Sequence, residues 1–125
     1  MASCAKYLVI VADHTKNSQY LTENYKMIPI EVSPIAYVPI QRKISKKFGG
    51  ELKLRAGTCK AGPCITDNGN FLLDWYYKGS ANDDFGTINN EILMMPGVVD
   101  TGFFIGMAKK AYFGMSDGSV LEKNV

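Results

Sequence analysis

The chain has 125 residues and a formal net charge of +2 at pH 7, with 46% hydrophobic and 21% charged residues. These values predict a globular chain with one modest core and exclude disordered, collagen-like and coiled-coil classes. The longest apolar run, residues 7–12, is far shorter than the roughly 20 residues that span a bilayer, so no membrane partner is expected. No signal-peptide cleavage pattern follows the N-terminus, which favours a cytoplasmic location. The small net charge predicts no nucleic-acid partner.

The cysteines limit the redox and metal chemistry that the chain could carry. Their number is odd and they form no Cys-x-x-Cys pair, which predicts neither a disulfide framework nor a zinc site. We therefore expect free thiols at Cys4, Cys59 and Cys64.

Residues 7–12 are apolar at every position, which is typical of a strand whose sheet is covered on both faces. Polar residues follow directly: Asp13, His14, Thr15 and Lys16. Open α/β sheets place ligand groups at this end of a strand, although an ordinary strand-to-loop transition has the same pattern. His14 is the only histidine, and no Ser or Cys is placed to act as its nucleophile, so we expect a loop residue there.

The middle of the chain alternates between strand and helix patterns. Apolar residues recur with a period of two in the predicted strands and at three- and four-residue spacing in the predicted helices. The predicted elements are strand 28–32, helix 37–48, strand 51–55, a strand carrying Phe71, Leu73, Trp75 and Tyr77 on one face, helix 87–95 and strand 98–105. This order is the split βαβ arrangement of ferredoxin-like domains.

The pair Asn68-Gly69 lies between two apolar runs, which is a strong hairpin signal and predicts a type I′ turn with positive φ at both residues. Asp67 and Asn68 are therefore assigned to turn formation rather than catalysis. We expect the aromatic face after the turn to pack under a helix. Asp74 and Asp100 are expected to face solvent or a structural partner.

The two ends of the chain do not fit the ferredoxin-like order. A last hairpin is predicted from strands 110–115 and 119–121. This hairpin and strand 7–12 are predicted to be pieces of a separate sheet. The predicted division is 1–26, 27–105 and 106–125.

Several stretches together resemble one enzyme family. They are Val-Ala-Asp-His-Thr-Lys at 11–16, Ile-Pro-Ile-Glu-Val at 28–32, Gly-Pro-Cys-Ile-Thr-Asp-Asn-Gly-Asn-Phe-Leu-Leu-Asp-Trp at 62–75, Pro-Gly-Val-Val-Asp-Thr-Gly-Phe-Phe at 96–104 and Phe-Gly-Met-Ser-Asp-Gly-Ser-Val at 113–120. In order and spacing, the chain resembles the carboxyl-terminal half of type A ribose-5-phosphate isomerase, most of all its animal form.

The resemblance implies the interconversion of D-ribose 5-phosphate and D-ribulose 5-phosphate in the non-oxidative pentose phosphate pathway, with a sugar phosphate as substrate and no metal or organic cofactor. It implies that Lys16 is a substrate-binding residue and assigns no catalytic residue to this chain. The family's phosphate loop, its Asp-Gly-Ala-Asp segment and its glutamate base precede the part that is matched. The expected fold is α+β, a ferredoxin-like βαββαβ small domain flanked by remnants of a larger Rossmann-like α/β domain, and the isolated chain is expected to be inactive.

Two other classes of function remain. One is a non-catalytic ferredoxin-like interaction or oligomerisation module, and a homo-oligomer is expected in either case. The other is RNA binding, which is disfavoured because the strand 28–32 has no aromatic residue on which a base could stack.

Overall fold

A computed structural model describes residues 2–59 and 61–124 of the chain. These residues fold as two compact units. The central unit comprises Tyr25–Phe103, and the split unit combines residues up to Asn24 with residues from Phe104 onward. Within the described ranges, no helix has both the length and the apolar character that crossing a bilayer requires.

The described residues form an α+β structure, which confirms the predicted class. Between residues 28 and 101 the elements follow the predicted order of strand, helix, strand, strand, helix and strand. In chain order they are β1 (Leu8–Asp13), β2 (Ile28–Val32), α1 (Tyr37–Phe48), β3 (Glu51–Leu54), β4 (Phe71–Tyr76), α2 (Phe85–Leu93), β5 (Val98–Thr101), β6 (Ala108–Gly114) and β7 (Val120–Asn124).

The central unit is built on a four-stranded antiparallel sheet with the order β3-β4-β2-β5. One face of this sheet is apolar, because alternate residues of each strand point the same way. Ile30 and Val32 of β2 and Leu73 of β4 are fully buried there. The helix α1 contributes Ile40 and Ile44 to the same core, and Ile92 of α2 is also fully buried. The helices therefore cover this face, as the periodicity predicts.

Trp75 is the largest fully buried side chain of the core. Its indole Nε1 donates a hydrogen bond to the carbonyl oxygen of Gly49, at 3.0 Å, in the residue that ends α1. Gly50 follows with φ +76°, and a Cβ there would lie 2.5 Å from the carbonyl oxygen of Tyr76. The connection between α1 and β3 therefore needs a residue that has no side chain and tolerates positive φ.

A row of aromatic rings extends along this core. Phe48 of α1 lies against Trp75, whose ring is 4.9 Å from that of Tyr77, and Tyr77 in turn contacts Phe85 of α2. Most of these contacts have the edge-to-face or tilted geometry that aromatic pairs prefer. The prediction that the aromatic face packs under a helix is confirmed.

The turn at Asn68-Gly69 forms, but the predicted turn type is wrong. Gly69 has φ +78°, whereas Thr22 is the only non-glycine residue with positive φ among the described residues. Backbone hydrogen bonds join Gly69 N to Thr66 O and Thr66 N to Asn70 O, both at 2.9 Å. This is a three-residue hairpin loop with glycine in the left-handed position. Here only Gly69 needs positive φ, so Asn68 keeps an ordinary conformation.

Three other local predictions need correction. Helix α2 begins at Phe85 rather than residue 87, because the Asp84 carboxylate accepts a hydrogen bond from Thr87 N at 3.1 Å and caps the helix. The predicted helix 87–95 also ends too late, because α2 ends at Leu93, and Met94, which follows it, is 83% exposed. The strand predicted to run to residue 105 ends at Thr101.

Arg55, the last residue of the predicted strand 51–55, forms an ion pair with Asp74 on the sheet face opposite the helices. Arg55 Nε lies 3.1 and 3.0 Å from the two carboxylate oxygens, and Asp74 is only 7% exposed. The hydrogen bonds to the carboxylate raise the pKa of Arg55. Asp74 therefore has a structural partner, which is one of the two outcomes expected for it from the sequence.

The split unit contains a separate three-stranded sheet with the order β1-β6-β7, as predicted for the two ends of the chain. The strands β1 and β6 are parallel, and β6 and β7 are antiparallel. Val9 and Ile10 are each more than a third exposed and Val11 is 79% exposed. The described residues of this unit therefore leave the apolar strand β1 uncovered, because the helices among them are three-residue 3-10 turns.

The Arg55–Asp74 pair gives a test of the central unit. Arg55→Met leaves a nearly buried carboxylate without its partner, so we expect a loss of about 2 kcal/mol in the free energy of unfolding. Lys53→Met is the matched control, because Lys53 and its partner Glu51 are both more than half exposed and their pair is worth less than about 1 kcal/mol. Urea denaturation measures both. Equal effects of the two substitutions would contradict a structural role for the pair.

Candidate functional site

The polar residues after β1 lie at the carboxyl edge of the sheet of the split unit. Since β1 and β6 run parallel with Asp13 opposite Gly114, the turns that follow the two strands lie at the same edge. The carboxyl edge of parallel strands is the usual location of ligand sites in α/β sheets. Lys16 and His14 therefore lie at the edge for which the sequence left open both a ligand site and an ordinary strand-to-loop transition.

The turn that carries Lys16 is fixed by Asp13. Residues His14–Lys16 form a single 3-10 turn, and Asp13 caps its start by accepting hydrogen bonds at Oδ1 from Thr15 N, at 2.8 Å, and from the Thr15 hydroxyl. The hydrogen bond from the Thr15 hydroxyl is the main cause of a lowered pKa at Asp13. The hydrogen bond from Thr15 N and the charge of Lys16 lower this pKa further. Asp13 therefore stays ionised at neutral pH as a capping group, which makes it a poor acceptor of a proton from a substrate.

Asn24 also supports the turn that carries Lys16. Its amide Nδ2 donates to the carbonyl oxygens of Asn17, at 2.9 Å, and of Thr15, at 3.3 Å. The turn is closed by Asn17 N donating to His14 O at 3.1 Å. The backbone around Lys16 is therefore held from both sides, and no local sequence signal identifies Asn24 as the residue responsible.

Lys16 and His14 are exposed at the end of this rigid turn. A lysine ammonium at a fixed backbone position suits an anionic oxygen, because it offers three donors and a full charge. The turn therefore presents a cation to the edge of the sheet. This arrangement can bind and orient an anion.

The turn after β6 is a structural one. Met115 N donates to Ser119 O at 2.8 Å, and Gly118 has φ +85°. Asp117 Oδ1 accepts hydrogen bonds from Ser119 N at 2.9 Å and from the Ser119 hydroxyl at 2.6 Å. These bonds lower the pKa of Asp117, so both carboxylates at this edge are ionised and committed to their own turns.

Asp67 and Asp100, which the sequence also offered as acidic candidates, belong to the central unit. Asp67 is exposed in the hairpin loop, and Asp100 is exposed on β5, where its carboxylate accepts a hydrogen bond from Thr101 N at 2.8 Å. The three cysteines are free thiols. Across residues 2–59 and 61–124, no group of three or more His, Cys, Asp or Glu side chains is placed to hold a metal ion.

Comparison with known proteins gives a consistent result. The family model for ribose 5-phosphate isomerase A (phosphoriboisomerase A) matches residues 1–118. The chain is 51% identical to ribose-5-phosphate isomerase from Homo sapiens, over 96% of this chain and 38% of the human protein. It is 48% identical to ribose-5-phosphate isomerase from Dictyostelium discoideum, over 100% of this chain and 54% of that protein.

Solved structures agree with the sequence comparison. A D-ribose-5-phosphate isomerase in complex with phospho-erythronic acid superposes with a TM-score of 0.89 at 32% identity, over 99% of this chain and 52% of that one. Ribose 5-phosphate isomerase A from Methanocaldococcus jannaschii gives a TM-score of 0.84 at 36% identity, over 97% of this chain and 51% of that one. The chain thus spans about two fifths to one half of the length of these relatives. Since the family match extends over nearly all of its residues, the chain belongs to the ribose 5-phosphate isomerase A family.

Proposed function

We propose that this chain supplies the sugar-phosphate-binding lysine of a ribose-5-phosphate isomerase, which interconverts D-ribose 5-phosphate and D-ribulose 5-phosphate. The observation that carries the proposal is the position of Lys16, on a braced turn at the carboxyl edge of β1, within the residues that match the family. Phospho-erythronic acid, held by one of the similar structures, is a phosphorylated sugar acid and supports this substrate class.

The reaction needs more than a cation. A base must move a proton between C2 and C1 of the sugar, and donors must stabilise the enediolate that forms. The two carboxylates at the edge, Asp13 and Asp117, are already engaged as acceptors in their own turns. From the family resemblance we infer that the base and the enediolate donors lie in the part of the family protein that this chain does not match, and we expect no isomerase activity from the 125 residues alone.

Supporting proposals concern the fold and the location. The sheet order β3-β4-β2-β5, with both helices on one face, supports a ferredoxin-like arrangement of the small domain. We propose that segments 1–26 and 106–125 belong to a larger Rossmann-like α/β domain, in which further elements would cover the exposed residues of β1. A cytoplasmic location is proposed from the absence of a signal-peptide pattern, and the absence of a nucleic-acid partner from the small net charge.

The activity proposal is tested with the chain alone and with a chimera in which it replaces the matched residues of the human relative. We expect no turnover of ribose 5-phosphate by the chain and measurable turnover by the chimera. In the chimera, Lys16→Ala should lower kcat/KM by roughly tenfold to a hundredfold, because one charge-assisted contact to the substrate is lost.

Lys109→Ala in the same chimera is the matched control, since Lys109 is an exposed lysine within β6 rather than after its carboxyl end. It should leave kcat/KM unchanged. Turnover by the isolated chain would contradict the need for further residues, and an unchanged kcat/KM in Lys16→Ala would contradict the role of Lys16.

A homo-oligomer is the second proposal, and the apolar exposure of β1 supports it. This strand lies at the edge of its sheet, and Val9, Ile10 and Val11 are exposed. An exposed apolar edge strand is a template for pairing with another chain.

We expect the isolated chain to be larger than a monomer by light scattering. Val11→Lys, at the most exposed of the three positions, should shift it toward the monomer, because a charge on an edge strand opposes pairing. Val99→Lys on β5 is the control, since Val99 is 48% exposed at the edge of the other sheet. A wild-type chain that stays monomeric at high concentration would contradict association.

A further inference from the structure

A carboxylate of β2 holds the hairpin loop of the central unit. Glu31 Oε1 accepts hydrogen bonds from the Thr66 hydroxyl and from Asn70 Nδ2, both at 2.8 Å, and a longer one from Asn68 Nδ2 at 3.4 Å. The hydrogen bond from Asn70 is the main cause of a lowered pKa at Glu31. One ionised oxygen therefore connects three side chains of the loop to the strand.

The backbone of the same loop is also engaged. Gly69 N donates to Thr66 O, and Asn70 N donates to the Thr66 hydroxyl oxygen at 3.0 Å. Asn68 and Gly69 are exposed to solvent, and a Cβ at Gly69 would meet no atom within 4 Å. The loop is thus open to water while its polar groups are held by Glu31 and by each other.

An Asn-Gly pair has a known intrinsic reaction. The backbone nitrogen of the glycine attacks the side-chain carbonyl carbon of the asparagine and forms a five-membered cyclic imide. The bond from that carbon to the amide nitrogen breaks, and ammonia leaves with the proton of the backbone N–H. Water then opens the imide to aspartate or isoaspartate. Glycine favours the first step because it has no side chain to hinder the attack and is conformationally free.

We propose that Asn68 is a deamidation site whose rate is controlled by Glu31. Attack requires Gly69 N to leave its hydrogen bond with Thr66 O and the Asn68 amide to turn back toward its own backbone. Glu31 opposes both movements, because it holds the Asn68 amide and also anchors Thr66, the residue that engages Gly69 N. Glu31 acts here as a positioning residue. The inference is independent of the proposed isomerase function.

The rate is measured on the full chain, by mass spectrometry of digests that resolve asparagine, aspartate and isoaspartate at position 68. Folded wild-type protein should convert about tenfold more slowly than the guanidinium-unfolded chain at the same pH and temperature. Glu31→Gln, which keeps the shape but loses the charge, should raise the folded rate about threefold. Glu31→Val, which removes the acceptor, should raise it roughly tenfold.

Glu51→Gln is the matched control, because Glu51 is exposed on an edge strand and pairs with Lys53, at 3.5 Å, rather than with the hairpin loop. It should leave the rate at Asn68 unchanged. Retained cooperative unfolding of the Glu31→Gln variant separates loss of positioning from loss of the fold. The proposal is overturned if both Glu31 variants convert at the wild-type rate, or if folded and unfolded wild type convert equally fast.

The product should weaken the loop. Asn68→Asp, which imitates one product, places a second carboxylate where the Asn68 amide now lies 3.4 Å from Glu31. At pH 7 both groups are ionised and repel, so we expect the Tm to fall by about 3 °C relative to Asn68→Ser, which replaces the amide with an uncharged hydroxyl.

As the pH falls through the carboxyl range, protonation removes the repulsion, and the two variants should converge near pH 3. If Asn68→Asp and Asn68→Ser have the same Tm as each other at pH 7 as well as at pH 3, the charge of Glu31 does not act on position 68. That result would overturn the proposed contact.

Discussion

Burial of the Trp75 indole is the constraint on which the central unit depends. The ring is fully buried beneath α1, so its N–H needs a partner inside the protein, and the carbonyl of Gly49 provides it at 3.0 Å. That carbonyl is available only because α1 ends there, in a residue with φ +73°. Gly50 must then pass so close to Tyr76 that no side chain fits. The end of α1, the start of β3 and the middle of β4 are thereby fixed by one side chain.

The parts of the fold that follow from periodicity could be predicted from the sequence. The apolar residues Ile40 and Ile44, four positions apart, identify the buried side of α1, and Ile28, Ile30 and Val32 identify the buried face of β2. The site could be predicted only as a position, since the apolar run before Asp13 indicates a strand and so a carboxyl edge at Lys16. In each case the signal lies within a few neighbouring residues, which is the range over which side-chain direction repeats.

The predictions that were wrong or missing depend on distant residues. Arg55 directly follows β3, and the antiparallel pairing of β3 with β4 brings its side chain beside Asp74. The turn at Asn68-Gly69 matched a type I′ signal, yet the longer loop closed by Thr66 and Asn70 needs positive φ only at Gly69. Asn24 braces the turn of Lys16 through a hydrogen bond to a carbonyl seven residues away. Propensity does not encode such contacts, because they form only after the chain has folded.

The two units differ in what holds their polar residues. In the central unit, Glu31 and Asp74 are bound by side chains from other elements, so their charges contribute to tertiary structure. At the carboxyl edge of the split unit, Asp13 and Asp117 accept hydrogen bonds from residues two positions away. Local caps of this kind form without the rest of a domain, and they fix a backbone path at little cost in chain entropy. The backbone path of the Lys16 turn is therefore set by residues of this chain, which is what the proposed role of Lys16 as a binding group requires.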